Sequence, residues 1–174
     1  MSTLRVDNLN ARTGTTISIP TGNSFYVPGH IIQVVNQTSN TATTSTATIP
    51  YDNTIPQITE GFEILSVTIT PKSANSKLFF NVLFNGYHSA ENSAGFTLAL
   101  FQSGVSNALS SQIFTVTNNN FYTRMMQHHM TAGTTSSTTF SVRGGAPSGT
   151  LTTNSGTYMG GSVNSYLTIM EIGV

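Results

Sequence analysis

Cysteine is absent from the chain, and with it go disulfides, zinc ribbons and thiol nucleophiles. Charge is nearly as scarce: charged residues make up 7% of the chain and the formal net charge is zero, against a usual charged share of ~25%. The six basic residues, Arg5, Arg12, Lys72, Lys77, Arg124 and Arg143, stand singly. Phosphate binding needs a cluster that releases counterions, so no nucleic acid is expected as a partner. Long hydrophobic runs are missing too. The start MSTLRVDNLN has no apolar h-region, and the longest apolar cluster, LFFNVLF, is far too short to span a bilayer, so neither a secretory signal nor membrane insertion is expected. Good helix formers are sparse, and no window holds a capped 3.6-residue period, so almost no helix is expected.

Hydroxyls fill the space that charge leaves. Ser and Thr account for 50 of the 174 residues, so the surface is one of hydroxyls and amides. Such a chain lacks the self-repulsion that keeps domains apart, and it reads as built to assemble. Ten Phe and six Tyr argue against disorder, and the length fits one domain plus a short appendage.

Short alternating or apolar runs rich in β-branched and aromatic residues recur: HIIQVV, FEILSVTIT, KLFFNVLF, GFTLALF, SQIFTVT, FYTRMMQHHM, TTFSVRG and SYLTIMEI. Turn formers such as TPKSANS, NGYHSAENSAG, TNNN and GGAPSG separate them. The spacing is that of an all-β sandwich or barrel. Residues 38–50, TSNTATTSTATIP, read either as an edge strand or as a loop. VRGGAPSG is glycine-rich but precedes no helix, so it reads as a hairpin turn and not a phosphate loop. Val34, Ile69, Phe80, Leu98, Val116, Leu167 and Ile169 are expected in one sandwich core, and the terminal YLTIMEI is expected at the centre of its sheet.

The order PGHIIQVV, a Thr/Ser-rich stretch, LSVTITPKSANSKLFFNV, GTTSSTTFSV and SYLTIMEIG resembles a family of small virion structural proteins of tailed phages that infect marine cyanobacteria and similar bacteria. The likeness runs over nearly the whole chain. It is most specific over residues 67–82 and 167–173 and loosest over residues 85–120. It implies a jelly-roll-like antiparallel β-sandwich that works as a homotrimer on the outside of a particle, with an extended N-terminal arm attaching it. Family members serve as tail fibres, appendages or capsid decoration, and the resemblance carries no catalytic motif. It implies a virion-surface location after synthesis in the host cytoplasm, with the major capsid or tail protein as partner.

On that plan residues 1–29 form the arm and residues 30–174 the sandwich. The stretch RTGTTISIPTGN cannot make a core of its own. Ile17 and Ile19 project to one side of an extended strand, and with Phe25 they are the expected virion-attachment pegs, seated by strand addition. Packing of the arm along its own domain is the alternative. In TNNNFYTR, the amides of Asn119 and Asn120 with the Tyr122 ring form a candidate contact for host-surface polysaccharide; a plain loop-to-strand boundary is the alternative.

Enzyme chemistry finds no footing. The sequence holds no nucleophile elbow, metal triad or phosphate loop, so no catalytic residue, metal or cofactor is expected. His128 and His129 are adjacent, so on a strand they point to opposite faces and cannot chelate one ion together. One of them could meet its copies only on a trimer axis. Two function classes remain: a trimeric knob that decorates or reinforces the particle, and a short fibre or adhesin that touches the host envelope. The lack of heptads, repeats and a collagen-like shaft tilts the reading toward the knob.

Overall fold

The computed structural model describes residues 27–89, 95–115, 120–154 and 158–174. Ten strands make it all-β: Ile31–Ser39 (β1), Thr43–Ser45 (β2), Phe62–Ile69 (β3), Lys77–His88 (β4), Gly95–Gln102 (β5), Ser110–Thr115 (β6), Tyr122–Thr131 (β7), Thr138–Gly145 (β8), Leu151–Thr153 (β9) and Ser165–Ile172 (β10). One 3-10 turn, Tyr158–Gly161, is the only helical element among the described residues.

Every strand pair is antiparallel, and the pairs nest: β1 with β10, β3 with β8, β4 with β7, β5 with β6. A long hairpin rolled up in this way is a jelly roll. One sheet has the order β3-β8-β5-β6. In the other, β10 pairs residues 77–83 of β4 while β9 pairs residues 86–88 along the same edge, so the two form one interrupted strand. Their outer neighbours β1 and β2 form a second interrupted strand, and β7 closes the far side of β4. Both sheets are thus effectively four strands wide.

Alternation built into the sequence makes the core. Leu78, Phe80, Val82 and Phe84 of β4 face Phe96, Leu98 and Leu100 of β5 and Phe140 and Val142 of β8, all essentially without exposure. Phe80 meets Phe140 edge to face, with ring centroids 4.8 Å apart, an arrangement that suits the ring quadrupoles. The expected core residues Ile69, Phe80, Leu98, Leu167 and Ile169 lie there. Val34 does not: it is 52% exposed, because its neighbour Val35 packs against the core and strand alternation then turns Val34 outward. Val116 lies outside the described residues.

YLTIMEI is central as expected, with β10 lying between β1 and β4. Residues 38–50 divide between both readings, since residues 38 and 39 end β1, β2 is a three-residue edge strand, and the rest is not strand. VRGGAPSG makes no hairpin: β8 pairs β3 and β5, whereas β9 pairs β2 and β4, so residues 146–150 cross from one sheet to the other.

The two outer faces differ. Residues 46–61 strap across the outside of the β3-β8-β5-β6 sheet, where Ile49 is fully buried with Ala99 and Phe101, and Ile58 and Ala108 pack around them. Gly145 makes this possible, because a Cβ there would come within 2.7 Å of the Ile49 amide nitrogen. Arg143 ties the strap's end by donating from Nε to the Glu60 carbonyl and from Nη2 to the Gly61 carbonyl, both at 2.8 Å. Among the described residues, no strap crosses the outer face of the other sheet.

Candidate functional site

The strands give the sandwich two unlike ends. At the first, residue 27 joins the fold: the Gly29 amide donates to the Gly173 carbonyl at 2.7 Å and the Gly173 amide donates to the His30 carbonyl at 3.0 Å. Ile17, Ile19 and Phe25, with the rest of residues 1–26, lie outside the described residues. What the structure places is their point of departure, beside the start of β1 and the end of β10.

That end is held by a buried carboxylate. Glu171 has no exposure, and it accepts from the backbone amides of Lys72 and Ser73 at 2.8 and 3.2 Å and from the Gln33 side chain. Gln33 also donates to the Thr70 carbonyl at 2.8 Å, so β1, the turn after β3 and β10 share one anchor. Burial pushes the Glu171 pKa upward, but the hydrogen bonds outweigh it and the pKa lies below its ordinary 4.5. A depressed pKa in the folded state means stability that is present above the unfolded value and is lost as pH falls through the folded one. The midpoint of thermal unfolding should therefore drop as the solution is acidified below about pH 4.5. Glu171→Gln should melt lower at pH 7 and show a shallower acid loss; acid-limb curves of equal slope in the two proteins would contradict this.

At the opposite end lie His88, Asn120, Asn154 and Tyr158, where the loops between strands meet. A polar knot closes the gap between β9 and β10: the Asn154 amide donates to the Asn85 carbonyl at 2.7 Å, the Ser165 hydroxyl to Asn154 Oδ1 at 2.7 Å and the Asn85 side chain to the Asn164 carbonyl at 2.6 Å. Asn154 takes a left-handed φ of 54°, which Asn tolerates, so the chain can leave the sheet there. The departing segment presents Tyr158 and Met159, 60% and 82% exposed, and Phe121 meets Tyr158 edge to face at 5.9 Å.

Of the polysaccharide candidates, Asn119 lies outside the described residues and Asn120 is exposed at this end. Tyr122 points between the sheets, and the Arg124 guanidinium sits 4.4 Å from its ring centroid and 5.7 Å from that of Phe114. Arg124 thereby closes the open side between β6 and β7. The exposed ring at this end is Tyr158, which sequence reasoning missed because a Tyr between glycines carries no periodic signal.

His128 and His129 do face opposite ways. His128 lies against Phe80, with centroids 5.8 Å apart, and burial first, then the neighbouring His129, lowers its pKa. His129 faces out of the sheet and is exposed. No group of three or more metal-binding side chains occurs among the described residues. Among these residues no helix is long and apolar enough to cross a membrane.

No protein-family model matches the chain, and no curated protein matches it in sequence. Solved structures with a similar course of chain include the C-terminal domain of EclA, a sugar-binding protein: 15% identity over 88% of this chain and 89% of that one, TM-score 0.41. The infectious bursal disease virus Gt strain structure is 12% identical over 91% of this chain and 42% of that one, TM-score 0.44. The VP2 subviral particle of infectious bursal disease virus is 14% identical over 82% and 38%, TM-score 0.37. These likenesses are distant.

Proposed function

We propose that the chain is a non-enzymatic structural protein of a virion surface, a homotrimeric appendage that decorates or reinforces the particle. The observation that carries this reading is the division between the two ends of the jelly roll. The N-terminal segment joins beside Gly173 at one end, and the connecting loops and the exposed Tyr158 lie at the other. An arm held by the major capsid or tail protein would leave the loop end facing outward. The charge-poor, hydroxyl-rich composition and the sequence resemblance support the same reading.

Removing residues 1–28 tests it. The truncated protein should fold with nearly unchanged melting but fail to join particles that lack the protein, measured by co-sedimentation. Ile17 and Ile19 together would contribute roughly 3–6 kcal/mol per arm on burial before ordering costs, and three arms multiply the effect by avidity. A truncated protein that binds particles as well as the full chain would overturn the reading.

The alternative is a short tail fibre or adhesin for host-surface polysaccharide. The exposed Tyr158 ring, braced by Phe121 beside Asn120, favours it. Binding to host polysaccharide that Tyr158→Ala abolishes would select this alternative over decoration.

A further inference from the structure

We infer that Arg124, set against the Tyr122 and Phe114 rings, is a binding site for a carboxylated sugar, a uronic-acid residue of an acidic polysaccharide. The described residues include two arginines, and the fold uses them differently. Arg143 commits its fork to the chain itself, Nε to the Glu60 carbonyl and Nη2 to the Gly61 carbonyl. Arg124 donates from Nη1 alone, to the carbonyl of the residue before it, at 3.2 Å. Among the described residues its Nε and Nη2 meet no acceptor, and no carboxylate pairs with it.

Its position sets this fork apart from a solvated surface charge. Arg124 belongs to the inward row of β7, the row whose other members Tyr122, Met126 and Met130 pack on the core. With Cζ 4.4 Å from the Tyr122 ring centroid and 5.7 Å from that of Phe114, the guanidinium is fixed in direction before any ligand arrives. Its Nη1 hydrogen bond nevertheless stays exposed, so the group is within reach from outside. β6 and β7 are the last strands of their sheets, and Phe114 and Arg124 place their outer edges side by side. Such edges offer backbone amides and carbonyls that no strand uses.

A carboxylate is the acceptor that fits. Its two oxygens match the guanidinium fork in one plane, and its single charge balances a cation that stands alone. A polyphosphate chain needs a row of cations, whereas Arg124 is the one Lys or Arg in β6 and β7. The rings and the strand edges favour a sugar as the carrier. A sugar ring turns C–H groups to apolar walls and hydroxyls to backbone edges and to the exposed Asn120 amide, two residues before Tyr122. The site adjoins the Phe121–Tyr158 pair through the chain, so it rests on the polysaccharide reading above and deepens it by naming the sugar class.

Isothermal titration calorimetry on the full chain tests it, with oligogalacturonate, oligoglucuronate, their methyl esters and a neutral galactose oligomer as probes. At least one acid should bind, and its ester and the neutral oligomer should bind at least about tenfold more weakly, because the charged pair is lost. Arg124→Lys keeps a cation over the rings but removes the fork, so it should weaken the acid by a similar factor with cooperative melting retained. The ester comparison uses the unaltered protein and decides the matter even if the variant fails to fold. Equal binding of acid and ester, unchanged binding by folded Arg124→Lys, or no binding of either acid at millimolar concentration would overturn the site. Polyglutamate bound as tightly as the oligouronates would make the ligand an acidic peptide and overturn the sugar. Host polysaccharide binding that Tyr158→Ala abolishes and Arg124→Lys leaves intact would keep the polysaccharide reading and overturn this site alone.

Discussion

Removing residues 167–174 should leave a chain that does not fold. These residues carry most of β10, which pairs with β1 on one side and with β4 on the other, so both neighbours lose their ladder at once. Leu167 and Ile169 are fully buried, and each such side chain is worth about 1.5–3 kcal/mol on burial. Glu171 leaves with them, taking the acceptor that the Lys72 and Ser73 amides use. Each buried backbone group left without a partner costs a further ~1–3 kcal/mol, while a domain's whole stability is only about 5–15 kcal/mol. The truncated chain should show a disordered circular-dichroism spectrum and no cooperative melt. A soluble truncated protein that melts cooperatively would make the strand peripheral and the sheet order wrong.

Phe80→Ala should be the most damaging single core truncation, at about 3–5 kcal/mol in urea unfolding. Phe80 has no exposure, touches Phe140 edge to face and supports His128 from the same side. The cavity would sit between β4, β7 and β8, against Phe140 and His128. A cost under 1 kcal/mol would mean that the two sheets do not pack as described.

The fold was largely legible because most strands carry their own alternation. In β7, Tyr122, Arg124, Met126, His128 and Met130 point in while the residues between them point out, and the run FYTRMMQHHM announces that pattern. β10 does the same. Legibility ends where both faces of a strand are apolar. KLFFNVLF reads as a buried run, yet only Leu78, Phe80, Val82 and Phe84 enter the core, while Phe79 and Leu83 line the open face. Periodicity has no way to separate a side chain meant for the core from an apolar one on the outer face of the sheet. Val34 was misassigned for the same reason: in HIIQVV either parity of the strand buries a large apolar residue. β9 escaped notice because three residues leave no period to detect, and the sheet-to-sheet crossing at VRGGAPSG carries the same glycine signal as a hairpin. The loop end was legible only as a cluster of turn formers, and which ring it exposes depended on the Asn154 departure that no local pattern encodes.

The association of copies is the claim on which the rest depends, and light scattering on the purified full chain at micromolar concentration tests it most directly. A homotrimer has a mass of about 56 kDa, three times the 18.5 kDa chain, and that is the expected result. A monodisperse particle of 18.5 kDa would contradict it.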